Sequence, residues 1–212
     1  MKIVHLTYTM TYGGIETMLV NIANEQAKSE RVYVTSINDS FEESLLESLS
    51  PDVSFVNVKR PIGSKNPWYI IKLNLILKNI SPDIIHIHHP GIISFLLPMF
   101  LRNSKIVFTM HDIPVREDLK YLHRYKTIYA ISKSVQDSLS KIGISSEVVT
   151  NGILPDKFEK RDVFSKHSIF RMVQIGRLYH EKKGQDFMID VCENLKRNGF
   201  TNFHLDFIGD GK

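Results

Sequence analysis

Apolar residues along this chain switch repeatedly between two periods. Short β-branched runs predict strands at Ile3–Thr7, Val32–Ile37, Val53–Val58, Ile84–His88, Ile106–Met110, Thr127–Ile131 and Glu147–Thr150. Between them the spacing turns helical. Over Ile15–Ala27, residues Ile15, Met18, Leu19, Ile22 and Ala23 fall on one face, and further helices are predicted at Phe41–Leu49, Trp68–Ile80, Ile92–Leu101 and Lys133–Ile142, the last closed by Gly143. Strands alternating with helices in this way define an α/β protein with a doubly wound, Rossmann-like parallel sheet.

After Asn151-Gly152 the pattern breaks. Asp156 to Ser168 is polar and without period, as an interdomain connection is. A fresh β-α-β then starts, with predicted elements at Arg171–Ile175, Gln185–Arg197 and Phe203–Ile208. The expected organisation is a first domain over 1–152, a linker over 153–169, and over 170–212 the first βαβ unit of a second Rossmann-like domain. A full domain of that kind takes on the order of 100 residues more, so the second domain is expected to be incomplete in this chain.

Composition narrows the class without deciding it. With 42% hydrophobic and 24% charged residues the chain is ordinary globular material. The single cysteine, Cys192, excludes an internal disulfide and reads as a plain helix-face thiol. A net charge of +4 allows an acidic small molecule or an anionic membrane surface, and no zinc-finger, RNP-type or basic-region pattern supports nucleic acid. The N-terminus runs straight into a strand pattern with no signal peptide, and the longest apolar stretch, Pro90 to Leu101, is too short for a span of roughly 20 residues. A cytoplasmic protein is expected.

Candidate chemistry gathers at strand ends, where open α/β sheets bind ligands. Tyr12-Gly13-Gly14-Ile15-Glu16 follows the first strand and opens a helix. Adjacent glycines let backbone approach a ligand and a helix N-terminus favours a phosphate, although an ordinary βα turn has the same look. Neither G-x-G-x-x-G nor G-x-x-x-x-G-K-[ST] is present, so a nicotinamide, flavin or P-loop site has no specific support. His86 and His88 share one side of their strand. With no persuasive third ligand they are expected to be hydrogen-bonded structural histidines rather than a metal site. His111, in Thr109-Met110-His111-Asp112, stands at a carboxyl strand end, and Ser132 is a helix N-cap. Gln174 to Gly184 runs from a strand through Gly176, Arg177, Lys182 and Lys183 into a helix. It reads as an anion site or, alternatively, as a solvated charge cluster.

Taken in order, G-G-I-E, D-I-I-H-I-H, T-M-H-D, A-I-S-K-S, T-N-G-I, I-G-R-L-x-x-x-K-K-G and F-I-G-D-G closely resemble the glycosyltransferase family 4 enzymes of the two-Rossmann-domain (GT-B) fold, over nearly the whole chain. The resemblance implies a nucleotide-diphosphate sugar as donor, held mainly by the second domain, with Arg177 and one of Lys182 and Lys183 on the diphosphate. Lys182 keeps the more usual offset from Arg177; Lys183 adjoins the helix-opening glycine and is preferred. It further implies that Gly13 and Gly14 approach the donor phosphate, that His111 stands beside the transferred sugar, and that Glu16 supports the site from behind. Catalytic roles are thus expected for His111, Arg177 and Lys183. Retention of anomeric configuration is implied, with neither a metal nor another cofactor, and no Asp-x-Asp motif is present. The family's E-x7-E motif is also missing, so this chain is expected to be inactive alone.

The implied partners are a nucleotide sugar and a glycan or lipid-linked acceptor of cell-surface polysaccharide or lipopolysaccharide synthesis. Peripheral contact with the inner membrane face stays open at two basic stretches, Lys59 to Tyr69 and Arg116 to Lys126, for which a solvated loop and a core-facing helix are favoured. Two other readings remain: a sugar-nucleotide 2-epimerase of the same fold, and a non-catalytic nucleotide- or protein-binding module.

Overall fold

The computed structural model describes residues 1–101, 103–153 and 169–211. These fall into two compact units, one within Met1–Lys157 and one within Phe158–Lys212. The expected linker, 153–169, lies outside the described residues except at its two ends.

The first unit runs β1 (Lys2–Thr7), α1 (Gly14–Gln26), β2 (Arg31–Asn38), α2 (Glu43–Leu46), β3 (Val53–Arg60), α3 (Trp68–Ile80), β4 (Ile84–Ile87), β5 (Lys105–Met110), α4 (Leu119–Leu122), β6 (Thr127–Ala130), α5 (Lys133–Lys141) and β7 (Glu147–Val148). Its seven strands pair in parallel in the order β3-β2-β1-β4-β5-β6-β7. The order reverses between β1 and β4, the doubly wound arrangement that periodicity predicts.

Register sorts the side chains by face. Val4 and Leu6 pair with Ile85 and Ile87, and Ile87 with Phe108; all five join Met110, Ile128 and Ala130 in one core cluster with Leu73 and Leu77 of α3, Leu122 of α4, and Val135 and Leu139 of α5. Opposite lies a smaller cluster, in which Val32 and Val34 of β2 pack with Leu19, Val20 and Ala23 of α1. Burying such side chains contributes about 1.5–3 kcal/mol each. On this second face β1 and β4 carry His5 and His86, register partners, in place of aliphatic residues.

The structure departs from the periodic pattern in two places. The buried residues of α1 are Glu16, Met18, Leu19, Val20 and Ala23, whereas Ile15 and Ile22 are only partly covered. The stripe is turned from the one predicted and carries Gln26 at its far end. The helix expected over Ile92–Leu101 is instead two 3-10 segments, Pro90–Phe95 and Pro98–Phe100. Pro98 has no N–H to give and forces Leu97 into an extended conformation (φ −104°, ψ 109°). The fully buried Asn74 of α3 closes the break. Its Nδ2 donates to the Phe95 carbonyl at 2.7 Å and its Oδ1 accepts from the Leu97 N–H at 2.8 Å.

The second unit is β8 (Phe170–Ile175), α6 (His180–Lys183), α7 (Gln185–Arg197) and β9 (Phe203–Ile208), with β8 and β9 parallel and in register from Phe170↔Phe203 to Ile175↔Ile208. Two strands and one long helix bury little. Among the described residues here Gln185 alone is buried, while Ile175 is 76% exposed and Phe187 67%. Residues 180–183, expected as loop, form a single helical turn before Gly184.

Replacing Asn74 with Leu keeps the volume of the side chain but strands the Phe95 carbonyl and the Leu97 N–H. A loss of about 2–4 kcal/mol is expected from two buried unpaired groups, measured by urea unfolding; a loss under about 1 kcal/mol would show that the clamp does not hold the segment.

Candidate functional site

The loop from β1 to α1 brings Gly13 to the helix N-cap in extended conformation (φ −166°, ψ 164°), with its carbonyl accepting from the Thr17 N–H at 3.0 Å. A Cβ on Gly13 would lie 2.5 Å from Glu16 Oε2, whereas one on Gly14 would meet nothing within 4 Å. The two glycines of the motif therefore have different grounds. Gly13 makes room for the Glu16 carboxylate, and Gly14 leaves the first turn of α1 open. Glu16 is 8% exposed, and burial raises its pKa, opposed by a hydrogen bond from its own backbone.

Beside that loop, at the β1/β4 switch point, is a stack of imidazoles. His5 of β1 approaches His88 with Nδ1 and Nε2 3.0 Å apart, while its own Nε2 stands 2.8 Å from Gln26 Oε1 at the end of α1. His88 Nδ1 in turn lies 3.2 Å from His111 Nε2. His86 branches off, 2.7 Å from the Thr109 hydroxyl. Ring centroids are 4.4 Å apart for His86 and His88 and 5.1 Å for His5 and His86.

The sequence offered no persuasive third ligand beside His86 and His88, and here the structure corrects it: His5 stands against both, with one nitrogen of each ring within 4.8 Å of the others. The planes, however, are stacked at 24–38° to one another. Imidazole lone pairs lie in the ring plane, so those of stacked rings run side by side, and the His5–His88 hydrogen bond already occupies one lone pair and one N–H of the group. Hydrogen-bonded histidines describe the group better than a ligand set.

Burial lowers the pKa of every ring here: His5 and His111 to about 4, His86 to about 3, and His88 well below its ordinary value of 6.5, with neighbouring rings adding to the effect for the last three. All are neutral near pH 7. His111 occupies the carboxyl end of β5 as predicted and is only partly buried, in contrast to His5 and His88. What sequence reasoning missed is the link from His111 back through the sheet. The one trace of it was a lone polar ring, His5, inside the apolar first strand.

In the second unit β8 ends at Gly176 (φ +154°) and β9 at Gly209 (φ +153°). A Cβ on Gly209 would fall 2.0 Å from the Gly176 carbonyl oxygen, a contact no side chain survives, so this glycine lets the two strand ends close on each other. Past Gly176, Gln185 Nε2 donates to the Arg177 carbonyl at 3.0 Å and Gln174 Nε2 to the Lys183 carbonyl at 2.6 Å, fixing the backbone at both cationic positions. The Lys183 stem passes within 3.9–4.0 Å of where a Gly176 Cβ would stand. Arg177, Lys182 and Lys183 are all exposed. Gly184 (φ +65°) ends α6 and begins α7, and the first turn of α7 holds Asp186, 3.6 Å from His180.

Gly13, Gly14, Glu16 and His111 thus belong to the first unit, and Arg177, Lys182 and Lys183 to the second, each set at a carboxyl strand end. Together fold and sites define a doubly wound α/β protein with its polar groups at the switch point and strand termini. Residues 12–157 match the family model of Glycosyltransferase Family 4, and the chain belongs to that family.

No curated protein sequence matches the chain significantly. Among solved structures it is similar to HepE of Anabaena, crystallised with UDP and glucose (TM-score 0.70, 19% identity, 99% of this chain and 69% of that one). It is also similar to the lipopolysaccharide outer core galactosyltransferase WaaB (TM-score 0.66, 20% identity, 100% and 62%). A UDP-GlcNAc 2-epimerase of Neisseria meningitidis, bound to UDP-GlcNAc, aligns less well (TM-score 0.55, 11% identity, 97% and 65%). These likenesses establish a GT-B type of fold, of which the chain spans about two thirds.

The neutral rings set a pH dependence. The unfolded chain takes up protons near pH 6.5, whereas the folded protein holds His5 and His111 unprotonated down to about 4. Stability is therefore complete above about pH 6.5 and falls as pH drops through this window, by up to about 1.4 kcal/mol per pH unit for each ring. Unfolding free energies from urea titrations at pH 7 and pH 5 are expected to differ by several kcal/mol, and by less in His86→Gln; equal free energies would contradict the buried neutral stack.

Proposed function

We propose that this chain is the acceptor-side domain and the start of the donor-binding domain of an enzyme that moves a sugar from a nucleotide-diphosphate sugar to a glycan or lipid-linked acceptor. The observation that carries the proposal is the end of β8, where two glutamine clamps fix the backbone of Arg177 and Lys183 and the Lys183 stem runs along Gly176. Cleavage of the sugar–phosphate bond leaves charge on the diphosphate, and cations carried on a held backbone are positioned to stabilise it. Of the two lysines, Lys183 is assigned the diphosphate, since its carbonyl is held by Gln174 and it adjoins the helix-opening Gly184; Lys182 stands one residue earlier on the same turn.

In the first unit, Gly13 and Gly14 are assigned to the phosphate approach and His111 to the transferred sugar, with Glu16 behind them. Transfer proceeds with retention and without a metal, in keeping with the lack of an Asp-x-Asp motif. Family membership favours transfer over epimerisation. The product in this reading is a cell-surface glycan such as lipopolysaccharide or capsule, made on the cytoplasmic side, and likeness to WaaB supports lipopolysaccharide.

Among the described residues no helix is long and apolar enough to cross a membrane. The exposed residues Trp68, Ile71 and Leu75 recur along α3 at helical spacing, with Ile62, Lys59 and Lys65 exposed nearby in sequence. That apolar row flanked by cations supports peripheral contact with an anionic surface at the first basic stretch. The second has a structural duty instead: Leu122 and Tyr125 are buried, and Arg124 donates to Ser94 and to the Ile93 carbonyl.

Two measurements test these assignments. In thermal shift, UDP or GDP is expected to raise the unfolding midpoint, with the rise lost in Arg177→Ala and reduced in Lys183→Ala more than in Lys182→Ala; silence towards every nucleoside diphosphate would sink the donor reading. In co-sedimentation, the protein is expected to pellet with vesicles containing anionic lipid and to stay in solution with neutral ones, Trp68→Ala weakening the binding; partitioning that ignores lipid charge would remove the membrane contact.

A further inference from the structure

The hydrogen bonds running from α1 to His111 have a direction. A neutral imidazole has one N–H and one lone pair, and His5, His88 and His111 each face their neighbour in the file through a single nitrogen. At the α1 end the partner of His5 Nε2 is Gln26 Oε1, which only accepts. His5 must therefore carry its proton on Nε2, leaving Nδ1 bare to accept from His88 Nε2. That fixes the proton of His88 on Nε2 and leaves its Nδ1 to accept from His111 Nε2. At the far end His111 keeps a bare Nδ1.

We propose that Gln26, through His5 and His88, sets the tautomer of His111, so that His111 meets its ligand as a hydrogen-bond acceptor at Nδ1 rather than as an acid. Gln26, His5 and His88 are then positioning residues, and His111 is the only one of the four that touches substrate. The inference rests on the assignment of His111 to the transferred sugar for its consequence: a bare Nδ1 selects a hydroxyl that can donate and offers no proton to a leaving group. Burial supports the scheme, since His5 and His88 are 0% and 2% exposed and water has little access to break the file. Were the Gln26 amide turned over, every proton in the file would move to the other nitrogen and His111 would present a donor.

The tautomers can be observed directly. Nitrogen-15 side-chain correlation spectra of the whole chain near pH 7, with the rings assigned by loss of signal in single His→Gln variants, are expected to show His111, His88 and His5 each protonated on Nε2. Gln26→Glu, still an acceptor, is expected to leave His111 unchanged. Gln26→Met is expected to move His111 towards a mixture of the two forms. A wild-type His111 protonated on Nδ1 overturns the proposal without need of any variant, and so does a His111 spectrum that Gln26→Met leaves as it was. The spectra need no ligand. A failure of the sugar-site assignment would show separately, as unmoved His111 signals when UDP-glucose and UDP-galactose are added, with the tautomers intact.

Discussion

The reversal of strand order between β1 and β4 is the constraint on which the first unit depends. The connection after β1 runs to β2 and the one after β4 runs the opposite way to β5, so between these paired strands a crevice opens at their carboxyl ends, and polar groups collect there. His5 lies on β1, His86 on β4 with His88 just beyond it, and His111 past β5. The Gly13–Gly14 loop leaves the same end of β1. A parallel sheet ordinarily buries aliphatic side chains on both faces; this one replaces them with imidazoles on one face at its switch point. A buried polar ring costs little only where its hydrogen bonds are made, and the stack makes them among its own members, with Gln26 and Thr109 at its margins.

Much of this organisation can be read from the sequence because it is periodic. Strand positions follow from β-branched runs, and α3 and α7 are found at the predicted bounds, Trp68–Ile80 and Gln185–Arg197, because nothing interrupts their pattern. Periodicity fails where a single residue overrules it. The apolar run at 92–101 has enough hydrophobicity for a helix, but Pro98 divides it and Asn74 of α3, 21 and 23 residues before the groups it binds, stabilises the extended break. The buried stripe of α1 turns towards Glu16 and Gln26 because its polar ends have partners in space, at Gly13 and His5, that no count of apolar positions reveals.

The candidate site was legible one strand end at a time. Gly13, Gly14, His111, Arg177 and Lys183 all lie near the carboxyl end of a strand, where position marks them as candidates, and the resemblance to glycosyltransferase family 4 gives each an expected role. What spacing could not supply was the reason for each residue type. Gly13 belongs to Glu16 as much as to any ligand, since their approach leaves no room for a Cβ. Gly209 answers to the Gly176 carbonyl across the two strand ends, although thirty-three positions separate them and each looks like an ordinary strand terminator. His5 could not be joined to His111 at all, because the join depends on register between β1 and β4 and on the rotamers of three rings.

These two kinds of support differ in what they allow. At the end of β8 backbone geometry does the holding: glycines let the strands close and glutamine amides grip carbonyls, while the side chains of Arg177 and Lys183 stay exposed. At the switch point the side chains themselves are buried, and burial removes charge from every ring. One unit therefore offers exposed cations and the other neutral, directional hydrogen-bonding groups. A diphosphate suits the first, being an anion whose charge grows as its bond to sugar breaks. A sugar suits the second: its hydroxyls carry no charge and are told apart only by where they donate and accept. The division of labour in the proposed transfer follows from how deeply each set of side chains is buried.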